Sequence, residues 1–311
     1  MNRTRPEGRR AVTKRRSRRN HRIGVRWLRS AVGAFLVALL VVGAAMFVAG
    51  CGISTGPTQE LVVNEPLGGA SVTDVEVTMG AGKLTVSPGS TGLVSGLIRY
   101  NVAAWEPVVD RSDSSVSIKQ GSQKGLSVVG NDILNEWQLQ LGRAPMRLKV
   151  SAGAYEGAYD LSGLTLQGLT VKDGAAKTQV MFNSPNPGQM DRLQYETGAS
   201  EVTLTGLANA NFKSMEFKGG AGSFTLDFSG ELRTDATVRA KAGVGSMRVV
   251  VPAQTAARVT VNGTLTDVSV EGSWTTSGKT YSTSAVGGEQ QAKTLTIVVD
   301  MSVGSLKLVA R

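Results

Sequence analysis

From about Leu61 to Arg311 apolar and polar residues alternate with a period of two, and helical periodicity is nearly absent. Alternate residues of a strand share a face. Pairs such as Leu148/Val150, Leu169/Val171, Leu193/Tyr195, Met215/Phe217, Val238/Ala240 and Ile297/Val299 therefore each mark one face of one strand. A second set, Val202/Leu204, Phe224/Leu226, Met247/Val249 and Leu306/Leu308, follows after a short glycine-bearing interval. The unit reads apolar-x-apolar-x-x-Gly-x-(Gly)-x-apolar-x-apolar, and it is clearest over residues 75–86 and 215–226. Its central glycines, Gly153, Gly174, Gly198, Gly220 and Gly243, lie 21, 24, 22 and 23 residues apart. A steady period of about 22 marks stacked units, each too small to hide its own apolar face. The pattern predicts an all-β fold. Even spacing favours a single-chain, right-handed β-helix-like solenoid over a sandwich of stacked hairpins, which tolerates loops of mixed length.

The glycines need a physical reason. A chain turning sharply between two short arms often requires φ > 0, which glycine reaches without steric cost. Stacked turns also bring backbones close enough that a Cβ would clash. The second glycine of the unit is replaced by Ala176 in one copy and Ser200 in another. The first, at Gly80, Gly153, Gly174, Gly198, Gly220 and Gly243, is thus the more demanding position, although in the last copy Ser302 holds it and Gly304 survives. A phosphate cradle would need a strand-loop-helix context and usually a Lys-Ser/Thr pair. The sequence offers neither, so the glycines read as architecture.

The stretch before Pro145 is less regular. It holds one clear copy at residues 75–86, then strand patterns at residues 93–102, 116–118 and 137–141, with a bend at Trp105-Glu106-Pro107 before Val108-Val109. Residues 131–135 leave room for one helical turn. End units of a stack need capping, and this segment reads as a β-rich cap. The resulting division is a signal segment at 1–50, an anchor and flexible tether at 51–69, the cap at 70–146 and the repeats at 147–311.

Several of these motifs carry a family likeness. Glu76-Val77-Thr78-Met79-Gly80-Ala81-Gly82-Lys83-Leu84, Leu93-Val94-Ser95-Gly96, Tyr100-Asn101-Val102, Trp105-Glu106-Pro107 and Trp137-Gln138-Leu139-Gln140-Leu141 resemble the toast-rack N-terminal domain. Residues 161–171 are similar to the leucine-rich first turns of the same proteins. The later Gly-Ala/Val-Gly repeats resemble the stacked β domain shared with LiaF-type proteins and adhesin-like surface proteins. Together the likeness spans nearly all of residues 70–311. It implies an envelope β protein, with some relatives tied to cell-wall stress sensing, and it carries no catalytic residue. The chain departs from the pattern at Tyr155-Glu156-Gly157, where the first turn looks enlarged, and near residues 263–288. There one degenerate coil at 259–270 and a polar loop at 273–291 are expected.

Charge changes the picture only at the N-terminus. The formal net charge is +10, but residues 1–30 hold twelve of the 34 Lys and Arg and a single acid, Glu7. The rest of the chain is close to neutral, so the basic balance argues for no nucleic-acid partner. Residues 31–50 form an uncharged, largely apolar run. A basic flank followed by such a run is a secretory signal or a membrane anchor. The only cysteine, Cys51, ends this run in Val48-Ala49-Gly50-Cys51, which resembles a bacterial lipobox. The expected partner is a lipid bilayer, reached through acyl chains on Cys51 at the extracytoplasmic face of the cell membrane. An uncleaved transmembrane anchor is the alternative.

The only histidine, His21, lies in the signal segment. Once that is removed and Cys51 acylated, His-assisted nucleophiles and the common zinc sites are excluded, and no metal or cofactor is expected. Asp160, Asp173, Asp191, Asp227, Asp235 and Asp267 are dispersed and read as solvated strand-edge acids. Among the aromatics, Trp137 reads as core and Trp105 as packing beside Pro107. Tyr155 and Tyr159, in the enlarged turn, and Trp274 and Tyr281, in the polar loop, are the candidate binding residues. The reading is a non-enzymatic envelope lipoprotein whose β-solenoid serves adhesion or stress sensing through an envelope protein or cell-wall glycan. The alternatives are a protein that binds or cleaves cell-wall carbohydrate and a self-assembling structural solenoid.

Overall fold

The computed structural model describes residues 55–121, 132–286 and 293–311. Cys51 and the lipobox residues Val48, Ala49 and Gly50 lie outside the described residues, as does the apolar run 31–50. Among the described residues the chain is all β apart from two short 3-10 turns, Ala103–Trp105 and Leu207–Ala210.

Eight long strands, 15 to 17 residues each, make the body: β2 (Thr73–Pro88), β7 (Met146–Asp160), β8 (Leu166–Met181), β9 (Met190–Thr205), β10 (Phe212–Asp227), β11 (Ala236–Val251), β12 (Ala256–Glu271) and β15 (Thr294–Ala310). They stack in parallel in the order β2-β7-β8-β9-β10-β11-β15-β12. Each strand is one sequence repeat, and equivalent residues sit side by side: Met215 pairs with Leu193 and Val238, and Leu226 with Leu204 and Val249.

The bend inside each repeat follows from residue parity. In β10 the buried residues are Met215 and Phe217 on one arm and Phe224 and Leu226 on the other. An odd offset would put the arms' apolar faces on opposite sides of a straight strand. Bending at the glycines turns both faces inward, and Phe217 and Phe224 meet edge to face at 5.2 Å. Between layers, Phe217 stacks on Tyr195 at 5.7 Å. Such aromatic pairs add about 0.5–1.5 kcal/mol beyond the area they bury.

The first end of the stack is closed by two antiparallel groups. One is β1 (Gln59–Glu65), β3 (Val94–Tyr100) and β6 (Asn135–Leu141); the other is β4 (Val108–Arg111) and β5 (Ser115–Lys119). β5 covers the first arm of β2 and β6 its second. Three sequence expectations change here. Residues 59–65 form a strand rather than part of a flexible tether. β2 is itself a layer of the stack, so the repeats begin before residue 147. Asn135 opens β6 and no helical turn precedes it in the described residues 132–134.

At the other end the degenerate coil expected near residues 259–270 is β12, and the polar loop contains a hairpin, β13 (Trp274–Ser277) with β14 (Thr280–Thr283). Stack order departs from sequence order: β15 lies between β11 and β12, in register with both. Arg311, just after β15, is held by Asp227 at the end of β10 through a 2.7 Å ion pair. Asp227 is buried, which corrects its reading as a solvated acid.

Asparagines stitch the loops on the side away from the glycine bends. Asn186, fully buried, accepts from the Leu166 and Gly188 amides and donates to the Leu166 and Ala210 carbonyls. Asn209 donates to the Phe182 carbonyl and accepts from the Glu231 amide. All but the Gly188 bond, which lies within one loop, join one layer to the next, and all satisfy backbone groups that the loops would otherwise leave unpaired.

Candidate functional site

The repeat glycines form a column along the bend. A Cβ on Gly174 would stand 2.7 Å from the Gly153 carbonyl oxygen, one on Gly198 2.5 Å from Gly174 O, one on Gly220 2.7 Å from Gly198 O and one on Gly243 2.5 Å from Gly220 O. Gly153 has the Gly80 carbonyl inside contact distance in the same way. Close approach, not positive φ, is what this column requires. Positive φ belongs to the second glycine, as at Gly222 (145°) and Gly245 (139°). The column therefore packs backbone on backbone.

Where the second glycine is replaced, the side chain turns inward and the core becomes polar. Tyr155 stands opposite Gly82 and Ala176, in unbroken register across the bend, so the turn is not enlarged. Tyr155 and Tyr159 are buried, 6% and 1% exposed, which removes them as surface binding residues. Gly157 between them leaves room for the Tyr155 ring, since a Cβ there would meet its Cε2 at 2.8 Å.

These tyrosines surround Asp173, which the sequence reading placed in solvent. Tyr155 donates to Asp173 Oδ1 at 2.6 Å, and Tyr195 donates to Oδ2. Thr178 donates to Oδ2 at 3.3 Å, and Tyr159 donates to the Tyr155 hydroxyl at 2.6 Å. Burial pushes the Asp173 carboxyl above its ordinary value of 3.8, with the hydrogen bonds from Tyr155, Tyr195 and Thr178 pulling the other way. Burial beside that carboxyl also raises the Tyr155 and Tyr195 hydroxyls. Position could have revealed it: Asp173 pairs with Ala152 and Thr197, in a column that also holds Met79 and Ala242. Both oxygens of the carboxyl accept hydrogen bonds from side chains of its own stack, so the cluster is a structural knot.

Trp274 and Tyr281 share one face of the β13–β14 hairpin, because Tyr281 pairs with Thr276, two residues from Trp274. Both are half-buried against the core, and β14 pairs with the first arm of β12. The hairpin acts as a lid on that arm, so these aromatics face the stack. Trp274→Ala is expected to lower stability by about 1–2 kcal/mol. A thermal melt matching the wild type would return Trp274 to the solvent as a binding residue.

The outward face carries alternating charge from layer to layer. Lys149 meets Glu76 at 2.9 Å and Arg147 meets Asp74 at 2.6 Å. Lys218 meets Glu196 and Glu216, each at 3.0 Å, and Lys172 meets Glu196 at 3.4 Å. Hydrogen bonds from Lys218 and Gln194 hold the Glu196 carboxyl below its ordinary value. Exposed pairs add little stability. Their use is register, since a parallel in-register stack would otherwise set like charges side by side.

Along the bend a ridge of small residues, Ala81, Ala154, Ala175, Ala199 and Ala221, gives way to exposed Val244 and Val303. Beside it an open groove of about 510 Å³ is lined by Gly219, Lys241, Ala242, Gly243, Asn262 and Asp300. Among the described residues no group of three or more His, Cys, Asp or Glu is placed to hold a metal ion.

The fold and its surfaces thus define a stacked parallel β protein with a polar outer face. Residues 54–205 and 188–250 match the family described as the N-terminal domain of toast_rack, DUF2154, and the chain belongs to that family. None of the curated proteins matches the sequence. Among solved structures the chain is similar to a "putative cell adhesion protein" from Clostridium sporogenes ATCC 15579, with 19% identity over 82% of this chain and 100% of that one and a TM-score of 0.46. It is also similar to a "putative adhesin" from Bacteroides fragilis NCTC 9343, with 13% identity, 83% and 100% coverage and a TM-score of 0.30. A "putative lipid binding protein" from Parabacteroides distasonis ATCC 8503 gives 11% identity, 84% and 99% coverage and a TM-score of 0.31.

Proposed function

We propose that the protein is a cell-envelope lipoprotein, anchored at Cys51, that presents its β stack as a non-enzymatic interaction surface in adhesion or stress sensing. On this reading residues 1–50 are a signal segment and the stack is a β-solenoid whose last two coils have exchanged order. The observation that carries it is the short interval between Cys51 and the first strand, Gln59–Glu65. A linker of that length reaches at most about 30 Å, so an acyl anchor would hold the capped end near the bilayer. The toast-rack membership supports an envelope role. The non-enzymatic part is supported by Asp173, which is buried and hydrogen-bonded at both oxygens within the fold.

Metabolic labelling with a fatty acid tests the anchor. The wild type is expected to take up label and lose residues 1–50, and Cys51→Ser to take up none and accumulate as the uncleaved precursor. A wild type that stays unlabelled and keeps its basic N-terminus would make the apolar run a membrane-spanning anchor instead.

A further inference from the structure

We propose that the protein pairs with a second copy of itself, edge to edge, through β1, in a two-fold antiparallel arrangement centred on Val62. Among the described residues four strand edges are left open: the outer side of β1, the outer side of β4, the second arm of β12 and the outer side of β13. Exposed edges usually carry a lysine, a proline or a bulge that discourages pairing. β1, Gln59-Glu60-Leu61-Val62-Val63-Asn64-Glu65, carries no lysine, proline or bulge, and its two charges, Glu60 and Glu65, are paired with Arg99 and Arg111. Its register with β3 runs unbroken from Gln59↔Tyr100 to Glu65↔Val94. At its centre Val62, on the face away from the core, is 74% exposed, the most exposed large apolar residue among those described.

The sequence of this edge is complementary to itself. Antiparallel pairing about Val62 sets Val62 against the second copy's Val62 and Leu61 against its Val63, which extends the core-facing apolar strip across the axis. It sets Glu60 against Asn64 and Gln59 against Glu65, so no like charges face one another. Opposite residues on one face are the pairs that stabilise a sheet, and edge addition joins two sheets into one through main-chain hydrogen bonds. A two-fold dimer closes on itself and covers the β1 edge.

The other open edges fit a second copy less well. β4 and β13 have only four residues each. The second arm of β12 presents Asp267 and Glu271, and a two-fold pairing centred on Ser269 would set these carboxylates against each other twice. This inference concerns the strand edge alone and does not depend on the anchor at Cys51.

The test is the mass of the full chain in detergent, by sedimentation equilibrium across the micromolar range. A seven-residue edge makes a small, weak interface, so the wild type is expected to move from monomer to dimer as concentration rises. Val62→Lys, which places two cations on the axis, is expected to stay monomeric with an unchanged melting temperature. Asn64→Glu and Asn64→Lys are expected to move the dimer dissociation constant in opposite directions, up and down by about threefold or more, because each acts twice against Glu60. Val270→Lys, on β12, is expected to leave the dimer intact. A monomeric wild type would overturn the proposal. So would a dimer that survives Val62→Lys, Asn64 variants that shift in the same direction, or loss of the dimer in Val270→Lys.

Discussion

Replacing Gly222 with valine is expected to lower the stability of the stack by about 3 kcal/mol or more and its melting temperature by roughly 5–10 °C. Two costs combine at this position. Gly222 holds φ at 145°, a conformation that a β-branched residue rarely adopts. A Cβ there would also fall inside contact distance of the carbonyl of Ser200, its partner in the neighbouring layer β9, whose side chain accepts from the Ala176 amide of β8. Backbone cannot step aside as a side chain can. The first-position column supplies the control. A Cβ on Gly80 would meet only the Gln120 side-chain amide, 3.2 Å away, whereas one on Gly153 would meet the Gly80 carbonyl. Gly80→Ala is therefore expected to cost less than about 1 kcal/mol and Gly153→Ala clearly more. Chemical denaturation of the three variants is the measurement. A Gly222→Val protein that unfolds like the wild type, or equal losses at Gly80 and Gly153, would contradict backbone contact as the reason for these glycines.

Asp173→Ala is expected to cost about 2–4 kcal/mol, because it leaves the Tyr155 and Tyr195 hydroxyls buried with no acceptor. Asp173→Asn keeps an acceptor and is expected to cost much less. The pair separates acceptor from charge, and pH then isolates the charge. The folded state raises the Asp173 pKa above its ordinary value of 3.8, so folding favours the protonated carboxyl. That contribution is fully present below the unfolded value and is lost as pH rises through the folded one. Relative to Asp173→Asn, the wild type should therefore gain stability as pH falls through the raised folded-state pKa toward the ordinary value of 3.8. A stability difference that stays flat, or that moves against the wild type on acidification, would mean that Asp173 is held as the carboxylate.

Much of this architecture was legible in the chain because the stack is in register. Apolar pairs such as Met215/Phe217 and Phe224/Leu226 recur at the repeat length, and parallel stacking turns that recurrence into contact between equivalent residues. Three features escaped for physical reasons. The inward turn of Tyr155 depends on the bend of its own layer, which changes when the second glycine is absent, and periodicity does not report a change in bend. The burial of Asp173 depends on hydroxyls from β7 and β9, neither of which shares its strand. The facing of Trp274 and Tyr281 depends on a hairpin pairing that polar residues such as Thr276 and Thr280 do not announce.

The insertion of β15 between β11 and β12 alters how the stack can be completed. In a simple array each unit docks on the one made just before it, so assembly can follow synthesis and the outermost unit can fray without consequence. Here β12 leaves the ribosome before the strand it must lie against exists. Until β15 arrives, β12 has either no proper neighbour or the wrong one, since the face of β11 is open to it. The bond from Arg311 to Asp227 then acts as a latch that fixes the outcome. The far end of this molecule therefore behaves less like a loose last rung than like a tongue slid into a slot, and it makes the stack's final step a choice between two partners for β11.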